Sequence, residues 1–309
     1  MQVWNVKKIL NWTINFFKAK NIPQPRLSSE LLLSAVLNLS RMQLYLKYDY
    51  VLTRQELKEY KKFIIKRLEF VPIQYILGEA YFRNIKLYVD KNVLIPRPET
   101  ELLVDRALSC IKEIYSDKKF VTVLEIGVGS GAISISVASE IDTILEDSEG
   151  DLSWHLVATD KSSSALKVAM ENAKNILSGN KLDNIKFIEC DIIPENDAEF
   201  LKKYKKNINL IISNPPYIKE KDYQKLPREI IEYEPKISLL AGESGLEVYE
   251  KIFSKIKPFM SPDLCYIVFE TDPKISSSLK KLAEGQPNVK RIEIEKDYNQ
   301  RDRVLTIKV

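Results

Sequence analysis

The sequence predicts an α/β fold: a mostly parallel sheet covered on both faces, preceded by a small helical bundle. Three observations predict it. From Phe120 onward, short apolar runs alternate with helical ones, the βαβ rhythm of a parallel sheet. Gly127, Gly129 and Gly131, three of only nine glycines, fall within five residues directly after the first of those runs. Residues 1 to about 70 read as helical throughout.

The bulk numbers leave room for this and exclude other classes. The 309 residues suffice for two domains, each with its own core. Lys+Arg exceeds Asp+Glu by 47 − 43 = 4, a bias too weak to imply a nucleic-acid partner. Cys110, Cys190 and Cys265 are widely spaced, odd in number and form no CxxC. That points to reduced thiols and the cytoplasm, and away from a disulfide frame or a zinc site. The single histidine, His155, falls in a predicted strand and is given a structural role. No apolar run approaches membrane-spanning length. Lys7, Lys8, Asn11, Asn15 and Lys18 interrupt the first twenty residues, which read as an amphipathic helix and not as a secretion signal.

In order, Val6, Ile9, Leu10, Phe16 and Phe17 make one helical stripe, ended by Pro23 and Pro25. Ser28 is the expected cap of a second helix, 29–38. Thr53 and Glu56 have capping-box spacing for a helix running to about Phe70. Near-alternation of Tyr81, Phe82, Ile85, Leu87 and Val89 predicts a hairpin linking two domains. Ile95-Pro96-Arg97-Pro98-Glu99-Thr100 is a rigid loop, either a linker or a fixed wall of a site, with Thr100 expected to cap the next helix. Strands are expected at 120–126, 154–159, 185–190, 209–213, 265–271, 290–295 and 304–309. Helices are expected from near Gly131, Ser162, Asp197, Leu246 and Pro273, and an acidic solvated loop over 140–152. The resulting division is 1–75 helical domain, 76–98 hairpin and linker, 99–309 α/β domain.

The chemistry gathers at strand ends. The glycine turn 127–131 lets backbone lie close to a ligand, with helix amides facing the same spot. Asp160 ends the second strand, where a carboxylate accepts from ribose hydroxyls. Asp191 ends the third, placed to accept from an adenine amine, with Ile192 flanking the ring. The fourth strand stops at Asn214-Pro215-Pro216-Tyr217, because two prolines cannot continue a ladder. Four strand ends on one sheet edge describe a nucleoside pocket with a reaction centre beside it. Ala132 fits the dinucleotide pattern, yet no basic residue lies in or beside the loop to meet a pyrophosphate, and Glu125 favours a cationic ligand. S-adenosylmethionine, with ribose, adenine, ammonium and sulfonium but no phosphate, fits better.

With Asn214-Pro215-Pro216-Tyr217 in place, the chain resembles class I amino-methylating methyltransferases, and more narrowly the release-factor glutamine methyltransferase family (HemK/PrmC). The resemblance spans nearly the whole chain. It includes 72–78, Leu94 to Thr100, the glycine loop, Glu232-Tyr233-Glu234-Pro235, 241–246 and Arg301-Asp302-Arg303. It implies a Rossmann-like, seven-stranded sheet, S-adenosylmethionine as methyl donor without a metal, and class I peptide-chain release factors as protein partner. Cofactor contacts would then fall on Glu125, Gly127, Val128, Gly129, Ser130, Gly131, Asp160, Asp191, Ile192 and Asn214. Asn214, Pro215 and Tyr217 would be catalytic, and Arg97, Pro98, Asn214, Pro215, Pro216 and Tyr217 would meet substrate. Glu125 stands where aspartate is frequent. Phe269-Glu270-Thr271-Asp272 and Asn299-Gln300 also depart from the family pattern, and are expected to lie away from the pocket.

In this reading the Asn214 side-chain oxygen and the Pro215 carbonyl accept the two N–H groups of a glutamine amide, and Tyr217 packs against it. The 1–75 bundle is either a docking module for the substrate protein or a packing platform. The enzyme is expected to be monomeric and to make no sequence-specific nucleic-acid contact. Alternatives are a ribosomal-protein glutamine methyltransferase, a DNA adenine-N6 methyltransferase, which would need a target-recognition domain and a basic face, and a cofactor-binding protein without catalysis.

Overall fold

The computed structural model describes residues 3–145 and 153–309, and the chain forms two compact units, Met1–Glu79 with Pro227–Tyr233, and Ala80–Leu226 with Glu234–Val309.

The first unit is helical. Asn5 caps α1 (Val6–Ala19), accepting from the Lys8 amide. The next helix, α2 (Pro25–Leu37), begins on Pro25, where the absent N–H leaves nothing unsatisfied. Ser28 is therefore not its cap; it lies inside the helix and its hydroxyl donates to the Pro23 carbonyl. Capping boxes open both α3 (Arg41–Leu46), through Ser40 and Gln43, and α4 (Arg54–Leu68), through Thr53 and Glu56 as the spacing predicts. The short α5 (Ile73–Leu77) and α12 (Arg228–Tyr233) complete the unit. Leu10, Phe17, Leu32, Leu33, Leu44, Tyr60 and Ile64 form its core.

The second unit opens on the expected hairpin, β1 (Glu79–Phe82) and β2 (Ile85–Tyr88). There follow α6 (Thr100–Lys118), β3 (Phe120–Ile126), α7 (Ala132–Leu145), β4 (Ser153–Asp160), α8 (Ser163–Ile176), α9 (Asn180–Asp183), β5 (Ile185–Glu189) and α10 (Ala198–Tyr204). Then come β6 (Leu210–Ser213), β7 (Ile218–Lys219), α11 (Glu220–Tyr223), β8 (Leu240–Gly242), α13 (Glu247–Ile256), β9 (Tyr266–Glu270), α14 (Ser276–Glu284), β10 (Arg291–Lys296) and β11 (Asp302–Lys308). The two-residue pairing of β7 with β8 was not foreseen, being too short to carry periodicity. Nor is 140–152 all loop: α7 continues to Leu145, and 146–152 lie outside the described residues.

Seven strands form one sheet in the order β10-β11-β9-β6-β3-β4-β5, with β11 antiparallel to both its neighbours. The central strands are buried along nearly their whole length, as a sheet covered on both faces requires. The chain runs outward from β3 to β4 and β5, then returns to β6 on the other side of β3. That reversal opens a crevice at the carboxyl ends of β3 and β6. Register decides what meets there. Ile126 is paired with both Thr159 and Ser213, so Gly127, Asp160 and Asn214 leave the sheet at one level. Ser213 is paired in turn with Phe269, which brings Glu270 to the same level.

Candidate active site

Around that crevice lies a cavity of about 330 Å³, within the range of small-molecule sites. Its wall includes Arg97, Glu125, Gly127, Val128, Gly129, Ser130, Asp160, Asp191, Ile192, Asn214, Pro215 and Pro216, all expected site residues. Three expected residues do not line it. Gly131 stands behind the loop, where an added Cβ would lie 2.7 Å from Ile135 Cδ1. Pro98 is solvent-exposed and is not part of the cavity wall. Tyr217 is half-buried and packs on one side against the core cluster holding Tyr249 and Phe269.

The loop is closed on itself. Gly127 and Val128 amides donate to the Thr159 carbonyl at 2.8 and 2.9 Å, Gly131 donates to Val128, and Gly129 donates to Asp160 Oδ2 at 2.9 Å. With these amides engaged, the loop offers no ready nest for a pyrophosphate. Asp160 Oδ1 accepts from the Ser162 amide at 2.8 Å, so each carboxylate oxygen keeps acceptor capacity after being anchored by backbone. Burial raises the Asp160 pKa, and those amide bonds hold it down.

Glu125 is almost wholly buried. Ser134 donates to its Oε2, while Oε1 has no hydrogen-bond partner. Burial pushes its pKa up to about 8, so the ligand-free carboxyl is largely protonated at neutral pH. The expected attraction for a cation thus arises only when a cation arrives to displace that proton. An orphaned buried carboxyl oxygen in the pocket wall suits an ammonium group, and Asp160 suits a diol; the residues present fit a nucleoside that carries an ammonium group.

On the third strand's side, Asp191 is ion-paired with Lys251, whose ammonium holds it below the usual carboxylate range. The sequence reading placed no lysine here; Lys251 reaches the pocket from α13, and Lys161 also lines it. Ile192 has φ +81°, a strained value for a β-branched residue costing about 1–3 kcal/mol. Its carbonyl accepts from Thr159 Oγ1 at 2.9 Å, which helps hold it there.

The Ile95–Thr100 loop is a wall of the site and is tied to distant chain. Arg97 donates to Glu234 Oε1 at 2.6 Å, and the Ile95 amide approaches Glu234 Oε2 at 3.4 Å. Thr100 does not cap α6; Glu99 is the flanking residue, and the Thr100 hydroxyl donates to Glu270 Oε2 at 2.6 Å. Asn214 Nδ2 donates to Thr100 Oγ1 at 3.2 Å. The stretch 269–272, expected away from the pocket, therefore reaches it through Glu270. Neither link had a local signal, since the partners lie 170 and 114 residues apart.

The switch-point crevice, the closed glycine loop and the strand-end carboxylate together define a class I methyltransferase domain. A methyltransferase domain family matches residues 117–301, and the PrmC N-terminal domain family matches residues 8–78. Three proteins named release factor glutamine methyltransferase are similar along nearly their whole length. Those of Rhodopirellula baltica and Chlorobaculum tepidum are 32% and 35% identical over 306 residues, covering 98% and 99% of this chain and 96% and 97% of theirs. That of Leptospira interrogans is 33% identical over 312 residues, covering 98% of each. The chain belongs to the release factor glutamine methyltransferase family.

Proposed function

We propose that the protein methylates the side-chain amide nitrogen of the glutamine in the Gly-Gly-Gln loop of class I peptide-chain release factors, using S-adenosylmethionine. The observation that carries this reading is the placement of Asn214 and Pro215 in the wall of the same cavity as the glycine loop and Asp160. S-adenosylmethionine supplies an already activated methyl group. Glu125 would hold its ammonium, Asp160 its ribose, and Asp191 and Ile192 its adenine.

A planar amide nitrogen is a weak nucleophile because its lone pair is delocalised. Asn214 Oδ1 and the Pro215 carbonyl would accept its two N–H groups and aim the nitrogen, a positioning effect with an upper limit of about 7–11 kcal/mol. Pro215 and Pro216 keep those acceptors rigid. Tyr217 supports the turn from the core. Arg97, held by Glu234 in the cavity wall, would meet the substrate. We assign the 1–75 bundle the docking of the substrate protein, a role supported by the exposure of Met42 and Leu46 on α3. Residues 76–98 connect it to the catalytic portion, 99–309. The reaction is placed in the cytoplasm, in a monomer that makes no sequence-specific contact with nucleic acid.

Labelled methyl donor, incubated with release factor, ribosomal protein and DNA, should mark only the release factor. Asn214→Ala should lower kcat by about 100-fold or more while leaving donor affinity within a few-fold. Label confined to ribosomal protein or DNA, or full turnover by Asn214→Ala, would sink the proposal.

A further inference from the structure

An asparagine amide has two faces with opposite chemistry. Its oxygen accepts and its NH2 donates, and the two are nearly isosteric. A substrate amide that must be held by its N–H groups needs the Asn214 oxygen. A flipped Asn214 would set donor against donor. Something has to break that symmetry, and Asn214 alone does not.

Thr100 and Glu270 stand in the right place. Register sets Glu270 level with Asn214, because Ser213 and Phe269, the residues before them, are paired. Thr100 begins α6, which packs on β6 and β9. Its hydroxyl has one proton, given to Glu270 Oε2 at 2.6 Å. Its oxygen then has only lone pairs for the Asn214 side chain, and the NH2 group sits against it at 3.2 Å. Asn214 Oδ1 makes no hydrogen bond among the described residues. Glu270 is itself fixed: it is about 1% exposed, and the Tyr249 hydroxyl donates to its backbone carbonyl at 2.7 Å.

We infer that Glu270 and Thr100 are positioning residues: the carboxylate orders the threonine hydroxyl, the hydroxyl orients the Asn214 amide, and its oxygen is thereby left free for a substrate N–H. The inference rests on the methyl-transfer reading above. Its physical basis is directional: each group has a single role left once its neighbour's is set. A protonated Glu270 would offer Thr100 a donor, release the hydroxyl proton towards Asn214 and favour the wrong face. Arg97 and Arg303 favour the carboxylate while burial and Glu99 oppose it, and Tyr217 and Tyr249 flank it. Burial leaves its pKa raised to about 7.

The test uses the full chain, labelled methyl donor and release factor, together with the side-chain amide resonances of Asn214 in 15N-labelled protein, assigned by their loss in Asn214→Ala. Thr100→Val, which removes only the hydroxyl, should lower kcat about 10- to 100-fold. KM for the release factor should change little, and the Asn214 resonances should shift. Thr100→Ser should restore both. In the parent, kcat should rise through about pH 7 as Glu270 ionises. Glu270→Gln, which keeps an acceptor oxygen but cannot titrate, should flatten that limb. A Thr100→Val protein with parental kcat and unshifted resonances overturns the relay, as does an unaltered pH limb in Glu270→Gln. If the parent transfers no methyl group to release factor, the functional reading fails instead, and the resonances still report whether Thr100 orients the amide.

Discussion

Glu125 shows how far a single side chain's environment outweighs its type. Position marks it as an acid beside a ligand loop, which is visible in sequence. Its ionisation state is not, because that depends on burial and on one hydroxyl from α7. A carboxyl whose folded pKa of about 8 exceeds its ordinary 4.5 binds its proton more tightly in the folded state. Between those values folding retains a proton that the unfolded chain releases, so this group's effect lowers stability as pH rises, by up to about 1.4 kcal/mol per pH unit. Glu125→Gln should therefore be increasingly more stable than the parent as pH climbs from about 4.5 to 8, with the gap level above that. Thermal melts of ligand-free protein across pH check this, and a constant gap would refute it. The same contrast holds at Thr100 and Tyr217. Sequence marks Tyr217 as a site residue and Thr100 as a helix cap, but which way each side chain turns depends on the Tyr249–Phe269 core in one case and Glu270 in the other.

Among the elements, the glycine loop separates two demands that look identical in sequence. Gly127 and Gly131 share left-handed backbone, at φ +80° and +84°. An alanine at 127 would place its methyl in open space within the pocket, whereas one at 131 would press on Ile135 and lie 3.4 Å from Ala169 Cα. Gly127→Ala should cost about 1–2 kcal/mol of stability from backbone strain alone and chiefly weaken methyl-donor binding. Gly131→Ala adds an overpacking cost of about 1–3 kcal/mol and should chiefly lower stability. Urea unfolding paired with equilibrium donor binding separates the two, and equal effects on both measurements would contradict the assignment. Strands were legible to within a residue or two because buried parallel strands are continuous apolar runs with punctuated ends. Helix starts were less so: Ser28 and Thr100 have cap chemistry, but Pro25 begins one helix earlier and Glu270 draws the other hydroxyl away.

Across the whole molecule, the first unit is not contiguous in sequence. Pro227–Tyr233 packs with the bundle, and Arg67 is the tie. Buried to about 2% exposure, its guanidinium donates to Glu229 Oε2 at 2.8 Å and to the Val71 carbonyl at 2.9 Å. The Tyr233 hydroxyl adds a bond to the Glu69 carbonyl at 2.7 Å. Arg67 is enclosed but Glu229 keeps about a quarter of its side chain exposed, so removing Arg67 should cost less than the about 3–5 kcal/mol of a wholly buried pair. Arg67→Ala should lower the melting temperature and speed hydrogen exchange at the Ile230 and Ile231 amides, while the same measurement at β3 changes less. Unaltered exchange at those two amides would show that Arg67 does not hold the segment.

The sequence by itself determined the α/β class, the order of the seven main-sheet strands along the chain and the family, and it marked the strand ends expected to carry chemistry. Each of these is written in local pattern: apolar runs, a glycine cluster, prolines that stop a ladder. Tertiary structure alone decided that Ile126 pairs with both Thr159 and Ser213, that Tyr217 packs on one side against the Tyr249–Phe269 core, that Lys251 meets Asp191, and that Glu270 reaches Asn214 through Thr100. Those contacts join residues dozens to well over a hundred positions apart. Their geometry is set by strand register and by burial, two properties that exist only once the sheet has formed.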